Sequence, residues 1–271
     1  MPDATLGVIG GGVMGEALIS RLLDQGIFSA TSIWVSDPQE SRRQFLQTTY
    51  GVSTVADNSA VAAVAQVILL AVKPQTLSAV AASLQVTQPR TSPLLLSILA
   101  GVPLLRLTEL FPGWPIIRAM PNTPATVGAG ITALAAGEGV SPEQQQRAKE
   151  IFASVGEVLE VPETLMDAVT ALSGSGPGYV ALVVEALADG GVMAGLPRAT
   201  AMQLALQTVG GTATLLQQTG LHPGVLKDRV TSPGGTTIAG IAQLEAAGLR
   251  TALIEAVQAA YRRSRELGGA S

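Results

Sequence analysis

Three glycines near the amino terminus have the spacing of a nucleotide-binding turn. Gly10, Gly12 and Gly15 form a G-x-G-x-x-G pattern in "GVIGGGVMGEALISRLL", between a β-rich run and an amphipathic helical run. The first glycine permits a tight turn, the second lets a pyrophosphate approach the backbone, and the third lets the helix pack on the strand. Backbone N–H groups at the helix start then bind phosphates without a positive side chain. The pattern predicts a dinucleotide site at the first strand-to-helix junction.

A second segment, "TSPGGTTIAG" at residues 231–240, joins small residues and two adjacent threonines to an apolar, helix-like run. The first N–H groups of a helix have no partner within the helix and bind anions. We therefore predict that this loop and the new helix end hold a small carboxylate under a nicotinamide ring. The alternative is that Thr236 or Thr237 is only a helix N-cap, a common role for threonine.

The end of the second predicted strand, "VSDPQESRR", offers groups that suit either nicotinamide cofactor. Asp37 would bind the ribose hydroxyls of NAD, although Pro38 is placed to turn its carboxylate away. Ser36 with Arg42 or Arg43 would bind the extra phosphate of NADP. We predict NADPH as the cofactor, with NADH as the alternative.

The composition argues against several classes of function. A net charge of -4 over 271 residues, with few clusters of Lys or Arg, leaves no electrostatic footprint for nucleic acid. The sequence has no cysteine and one histidine, His222, so thiolate chemistry and an imidazole cluster are absent and we expect no metal site. We expect His222 itself to be structural or solvated.

The cellular location is predicted from the same composition. The N-terminal segment lacks the basic region and cleavage site of a signal peptide, and the apolar segments are broken by Gly, Pro or charge before about 18 residues. The lack of cysteine fits an intracellular protein. We therefore expect a cytoplasmic protein without a membrane partner.

The distribution of periodic segments predicts two domains. Helix-like segments separate several of the short β-rich runs "TLGVIG", "SIWVSD", "QVILLAV", "SPLLLSIL" and "WPIIRAM", which predicts an α/β domain with a parallel sheet covered on both faces. The strand pattern stops near "EVLEVPET", and nearly everything after it reads as helix. We place a nucleotide-binding domain at residues 1–162 and an all-helical domain at residues 163–271.

The helices of the second domain carry apolar residues on more than one face. An isolated bundle of this length should not show so much apolar surface to water. We expect homo-oligomerisation through this domain, and the alternative is burial against the first domain.

Six strings, spread over essentially the whole chain, resemble one family, the Δ1-pyrroline-5-carboxylate reductases. They are "IGGGVMGEAL", "AVKPQ", "MPNTPA", "LSGSGPGY", "ADGGVMAGLPR" and "VTSPGGTTIAG". The resemblance implies a Rossmann-type domain, a helical dimerisation and substrate-binding domain, a homodimer that can build a larger, decameric ring, and NAD(P)H-dependent reduction of 1-pyrroline-5-carboxylate to L-proline. The sequence departs from the family at Gly178, where Ala is common, and at the variable end of the second strand.

The resemblance also assigns residues to the two binding sites. The cofactor-binding set is Ile9, Gly10, Gly11, Gly12, Val13, Met14, Gly15, Ser36, Asn58, Ala71, Val72, Lys73, Pro74 and Ala100. The substrate-binding set is Glu163, Ser175, Ser232, Gly234, Gly235, Thr236 and Thr237. The backbone N–H groups of Gly235, Thr236 and Thr237 would bind the carboxylate. The Thr237 hydroxyl, the predicted catalytic group, would lie near the imine nitrogen as a positioning group or as a proton donor.

Several of these residues also have a purely structural interpretation. Lys73 could be a surface residue at a strand end, and Asn58 could cap a helix. Ser175 could serve close helix packing, and Glu163 could compensate a helix dipole.

Two other classes of function remain as alternatives. A β-hydroxyacid dehydrogenase has a similar nucleotide domain but requires a lysine on the helix after its glycine-rich substrate segment, and "SGSGPGYVALVVEALADGG" contains none. Oxidation of an alcohol needs a base, whereas a protonated imine already carries its proton. A nucleotide sensor without turnover is the other alternative, because a fold does not fix a function. The intact "SPGGTT" motif argues against it.

Overall fold

The computed structural model describes residues 5–85 and 92–269. Each predicted β-rich run contains a strand. The described residues form eight strands, namely β1 (Leu6–Ile9), β2 (Ile33–Ser36), β3 (Ser53–Val55), β4 (Val67–Leu70), β5 (Leu94–Ser97), β6 (Ile116–Met120), β7 (Gly130–Ala136) and β8 (Gly156–Glu160).

The strands form one sheet in the order β3-β2-β1-β4-β5-β6-β7-β8. All neighbouring pairs are parallel except β6 and β7, which are antiparallel. The parallel arrangement predicted for the five β-rich runs is therefore confirmed, and the antiparallel pair involves β7, which was not predicted. A short 3-10 turn at Thr123–Val127 joins β6 to β7 directly, and without a crossover helix the chain must reverse direction.

The central strands are apolar on both faces because helices cover both sides of the sheet. All four residues of β1, β4 and β5 are buried. One core cluster includes Val8, Leu69 and Phe152, and another, built around different residues of the same strands, includes Ile68 and Phe111. The alternation of side chains along each strand sends successive residues to opposite faces.

The helices connect the strands and then continue alone. They are α1 (Val13–Asp24), α2 (Glu40–Tyr50), α3 (Asn58–Ala62), α4 (Leu77–Gln85), α5 (Leu104–Leu110), α6 (Pro142–Ala153), α7 (Met166–Val169), α8 (Gly176–Met193), α9 (Arg198–Thr219), α10 (Pro223–Arg229), α11 (Thr236–Ala246) and α12 (Leu249–Leu267).

The segment "SGSGP" at residues 173–177 lies where the hydrogen-bond spacing of a helical run changes. Residues Thr170–Gly174 form a π-helical turn between α7 and α8, and the Ser175 N–H donates to the Thr170 carbonyl at 2.9 Å. Gly174 packs against Met120, whose methyl group would lie 2.6 Å from an added Cβ. The chain therefore stays helical, and the small residue permits close packing.

By contacts, the chain divides into two units, residues 1–175 with 260–271, and residues 176–259. This division differs from the predicted boundary at 162/163. Buried Arg118 on β6 lies 3.4 Å from the Glu163 carboxylate and 3.9 Å from that of Asp167. The Ser264 hydroxyl donates to Asp167 at 2.7 Å. These polar contacts attach both the segment after residue 162 and the end of α12 to the first unit.

The second unit has a small core and a large exposed apolar surface. Val184, Ala188, Ala201 and Ala205 are buried between α8 and α9. Outside this core, several large apolar side chains are exposed, namely Val180, Leu182, Leu187, Met193, Leu204, Leu206, Leu244 and Ile254. A surface of this kind marks a contact with another molecule.

One helical run, Glu163–Met193, is long and apolar enough to cross a membrane by length and composition alone. Only 17% of its most apolar window is buried. The π-helical turn lies inside this run.

The backbones of β7 and β8 approach each other closely at Gly156. Its φ is +145°, and an added Cβ would lie 1.9 Å from the Gly130 carbonyl oxygen. Gly139 also has a positive φ, +79°, but nothing lies within 4 Å of an added Cβ. We expect Gly139→Ala to cost about 1 kcal/mol of unfolding free energy and Gly156→Ala at least about 3 kcal/mol. Chemical denaturation of both variants measures the difference, and equal losses would contradict the steric explanation.

Candidate active site

The turn between β1 and α1 has the geometry that the glycine spacing predicts. Gly10 has φ +99°, and an added Cβ would lie 2.7 Å from the Ala71 carbonyl oxygen. A Cβ on Gly15 would lie 2.5 Å from the Gly10 carbonyl oxygen. By contrast, nothing lies within 4 Å of a Cβ on Gly12, which is exposed and is the N-cap of α1. The first and third glycines therefore serve chain packing, and the second leaves open space at the helix start.

A cavity of about 680 Å³ opens at this turn. Its lining comes from the segments that follow β1, β2, β4, β5 and β6, the carboxyl ends of five neighbouring strands. Of the predicted cofactor-binding residues, it is lined by Gly10, Gly12, Val13, Met14, Ala71, Val72 and Lys73. Open α/β sheets bind ligands at this edge.

The other predicted cofactor-binding residues do not line the cavity. Ile9 is 1% exposed, and Gly11 and Gly15 are buried within the turn. Pro74 begins an exposed 3-10 turn, and Ala100 lies in the turn after β5.

Ser36 and Asn58 form a polar pair away from the cavity surface. Ser36 is 1% exposed, and its hydroxyl donates to the Asn58 side-chain oxygen at 2.7 Å. The Asn58 amide group in turn donates to the Ser83 hydroxyl at 2.9 Å. Asn58 is not a helix cap, because Asp57 caps α3 through the Ser59 N–H. In this arrangement Ser36 and Asn58 fix the strand end, and their direct contact with a cofactor stays a prediction.

Sequence reasoning missed several residues that line the cavity, namely Gln39, Thr76, Ile98, Pro121 and Thr123. Pro121 and Thr123 belong to "MPNTPA", one of the six strings that carried the resemblance. Their place directly after β6 was the available signal, because residues that follow parallel strands meet at one edge.

Asp37 is engaged by the backbone around it. The Gly11 N–H donates to its Oδ2 atom at 3.0 Å, and the Gln39 N–H donates to its Oδ1 atom at 2.9 Å. Arg43 donates to the carbonyls of Asp37 and Pro38, at 2.8 Å and 3.0 Å, so its guanidinium secures the loop. Asp37 still lines the cavity.

Arg42 lines the cavity, and Glu16, which does not line it, holds the Arg42 guanidinium in place. Its guanidinium donates to the Gly11 carbonyl and to the Glu16 carboxylate, and it lies 5.0 Å from the centre of the Phe45 ring. The Tyr50 hydroxyl donates to the other Glu16 oxygen at 2.8 Å. Burial raises the pKa of Glu16, but the hydrogen bonds from Arg42 and Tyr50 and the Arg42 charge outweigh it, so the pKa lies below its usual value.

The predicted substrate loop begins α11 in the second unit. Gly235 is the N-cap, and no side chain caps this helix, so neither Thr236 nor Thr237 is an N-cap. The Gly235 N–H donates to the Ser232 carbonyl at 3.0 Å, which differs from its predicted role as a carboxylate donor. Gly234 has φ +67° and forms the turn. Thr236 is exposed and Thr237 is half-buried.

The two remaining predicted substrate residues have contacts within the first unit. The Glu163 carboxylate accepts a hydrogen bond from the Leu104 N–H at the start of α5 and pairs with Arg118. The Ser175 hydroxyl donates to the Thr170 carbonyl at 3.3 Å. Through these contacts, both residues stabilise the helical segment. Their contact with substrate stays a prediction. His222 is structural, because its Nδ1 atom accepts from the Gly224 N–H at 3.1 Å at the start of α10.

The first unit fits a dinucleotide. Gly12 leaves room for a pyrophosphate, and α1 has no side-chain cap. The cavity extends along the strand ends from the segment after β2, which includes Asp37, to the segment after β6. A Rossmann-type sheet with this turn defines a dinucleotide-binding protein.

Comparison with known proteins identifies the family. A family model described as Pyrroline-5-carboxylate reductase dimerisation matches residues 163–267, and one described as NADP oxidoreductase coenzyme F420-dependent matches residues 5–101. A pyrroline-5-carboxylate reductase from Synechocystis sp. is 61% identical over 97% of this chain and 98% of its own length. The chain belongs to the pyrroline-5-carboxylate reductase family.

Two solved structures of that family superpose closely. The Plasmodium falciparum pyrroline carboxylate reductase with NADP bound has a TM-score of 0.90 at 31% identity, and covers 99% of both chains. The Coxiella burnetii pyrroline-5-carboxylate reductase has a TM-score of 0.90 at 37% identity, over 97% of this chain and 98% of that one.

Replacement of Gly12 tests the nucleotide site separately from folding. Because an added Cβ meets no protein atom, Gly12→Ala should unfold nearly as the wild type does, but its methyl group would occupy the space of the pyrophosphate. We expect NADPH to bind at least about tenfold more weakly. Titration calorimetry measures the affinity, with Gly178→Ala in α8 as the control that should leave it unchanged. Unaltered NADPH affinity in Gly12→Ala would contradict the placement of the phosphates.

The lowered pKa of Glu16 predicts a pH-dependent stability. Because the folded-state pKa is depressed, ionised Glu16 stabilises the fold above its unfolded pKa, near 4.5, and this stabilisation is lost as the pH falls through the folded-state value. Wild type should therefore exceed Glu16→Gln in unfolding free energy by about 0.5–1 kcal/mol at neutral pH, and the gap should close in acid. Urea unfolding at several pH values and one protein concentration measures the gap. A gap that is constant with pH would contradict the ion pair.

Proposed function

We propose that this protein reduces 1-pyrroline-5-carboxylate to L-proline, the last step of proline biosynthesis. It is an NAD(P)-dependent oxidoreductase, and NADPH is its cofactor. The observation that carries the proposal is the presence, in one chain, of the open Gly12 turn with its cavity and of the uncapped "SPGGTT" helix start. Family membership over nearly the whole chain supports the substrate.

The cavity residues bind and orient the cofactor in this proposal. The α1 N-terminus with Gly12 would hold the pyrophosphate, and the β4 loop with Val72 and Lys73 would lie along the nicotinamide half. When bound, the reduced nicotinamide supplies the hydride. Ile98 and Pro121 contribute apolar groups to the lining of the cavity.

The loop from Ser232 to Thr237 would bind the substrate. The N–H groups of Thr236 and Thr237 lie in the first turn of α11, where no side chain competes for them, and the helix dipole favours a carboxylate there. The Gly235 N–H instead holds the loop in shape through Ser232. The Thr237 hydroxyl would position the imine nitrogen. Because the protonated imine brings its own proton, the site needs no strong acid or base.

The exposed apolar face of the second unit supports assembly. We propose that a second copy of the chain covers it in a homodimer, and that dimers join into a decameric ring. The dimerisation family model over residues 163–267 supports the first step. The cytoplasm as the site of action, and the absence of nucleic acid and membrane as partners, remain parts of the proposal.

Turnover of NADPH and NADH with DL-pyrroline-5-carboxylate tests the function directly. Purified protein should consume the reduced cofactor and form L-proline, which chromatography identifies. A folded protein that binds NADPH but forms no proline would overturn the proposed function.

Thr237 is the residue whose replacement tests the substrate loop. Thr237→Ala should lower kcat and raise the KM for pyrroline-5-carboxylate, together by about tenfold to a hundredfold in kcat/KM, because the hydroxyl that positions the imine is lost. NADPH affinity should stay nearly unchanged. Thr237→Ser keeps the hydroxyl and should retain most activity. Thr236→Ala is the control at the neighbouring position, because the proposal assigns a role only to the Thr236 backbone N–H, which alanine keeps. Unchanged kinetics in Thr237→Ala would remove Thr237 from the mechanism.

A further inference from the structure

The Arg42 guanidinium, the candidate group for binding a cofactor phosphate, is already paired with the Glu16 carboxylate. Arg42 lines the nucleotide cavity beside Asp37, whereas Glu16 does not line it. Glu16 lies in the first turn of α1 and reaches Arg42 from behind, across 26 residues of sequence. The cation that would meet a phosphate is therefore paired with an anion before any ligand arrives.

The pair is held firmly from several sides. The Arg42 Nε atom donates to the Gly11 carbonyl, and the Phe45 ring lies 5.0 Å away. The Tyr50 hydroxyl donates to Glu16 at 2.8 Å. The Arg42 and Glu16 side chains are only 24% and 27% exposed, so solvent screens their charges less than it would screen a surface pair. Glu16 therefore acts as a fixed negative charge directly behind the Arg42 guanidinium.

The two forms of the cofactor differ here by one group. NADPH carries a phosphate on its adenosine ribose where NADH carries a hydroxyl. A fixed carboxylate repels the phosphate and hardly affects the hydroxyl. The Asp37 carboxylate, at the same end of the cavity, adds negative charge.

We propose that Glu16 is a specificity-determining residue that acts through Arg42: it weakens the attraction of the site for the ribose phosphate and so narrows the preference for NADPH over NADH. This inference rests on the proposed function only in taking NAD(P)H as the ligand. It concerns binding, and it holds whether or not the bound cofactor is turned over.

Glu16→Gln tests the inference, because the amide oxygen can still accept from Arg42 while the charge is removed. Titration calorimetry gives the affinities of wild type and variant for NADPH and NADH. We expect the ratio of NADPH affinity to NADH affinity to rise by roughly threefold to tenfold, and the rise to shrink as salt is added. Adenosine 2′,5′-bisphosphate and adenosine 5′-monophosphate, used as fragments, should show the same change without the nicotinamide.

Three further variants separate charge from structural damage. Tyr50→Phe removes a hydrogen bond from Glu16 without changing charge and should alter the ratio far less. Glu109→Gln is the matched charge control, because Glu109 also pairs with an arginine, Arg106, but does not line the cavity. It should leave the ratio unchanged. Arg42→Gln should lower the ratio.

The outcomes are distinct from those of the proposed function. An unchanged ratio of NADPH affinity to NADH affinity in Glu16→Gln would overturn the inference. A lower ratio would also overturn it, because Glu16 would then be a group that orients Arg42 for the phosphate. An unchanged ratio in Arg42→Gln would also overturn it, because the phosphate would then lie elsewhere. Neither result bears on whether proline is formed, and failure of proline formation leaves the binding ratios intact.

Discussion

The close approach of α1 to the sheet is the constraint on which the rest of this structure depends. The turn brings the Gly10 backbone against the Ala71 carbonyl and the Gly15 backbone against the Gly10 carbonyl, at distances that leave no space for a Cβ. Because the helix starts so near the strand ends, its N-terminus faces the cavity formed by the loops after β1, β2, β4, β5 and β6. A side chain at either glycine would push the helix away and separate the N–H groups at the helix start from those loops.

The sequence predicted the features that local pattern determines. Apolar runs marked five strands, and their order with the helices indicated the sheet. Strand β7, Gly130–Ala136, was not singled out because its residues are mostly small and weak strand formers, and its antiparallel direction depends on the short turn before it. The π-helical turn at Thr170–Gly174 is a change of one residue in hydrogen-bond spacing that no periodicity of side chains reveals.

The candidate site was predictable where a motif determines backbone shape and less so where side chains choose among partners. The glycine turn and the β4 loop lie where the motifs indicated. The orientation of Ser36 toward Asn58, of Asp37 toward Gly11 and of Arg42 toward Glu16 depends on contacts 22, 26 and 26 residues apart. A single sequence shows which polar groups are present, but it does not show which of them pair with each other and which face a ligand.

The two predicted anion sites share one local feature, a helix whose N-cap is a glycine. Helices α3 and α6 begin with Asp57 and Ser141, whose side chains accept hydrogen bonds from the first-turn N–H groups. Helices α1 and α11 begin instead with Gly12 and Gly235, which have no side chain to do so. A glycine N-cap costs little stability relative to a polar cap and leaves those N–H groups for a ligand. In the proposed function, backbone groups bind both anions, the substrate brings the proton and the cofactor brings the hydride. That proposal requires only positioning from the protein, which suits a chain with no cysteine and a single, structural histidine.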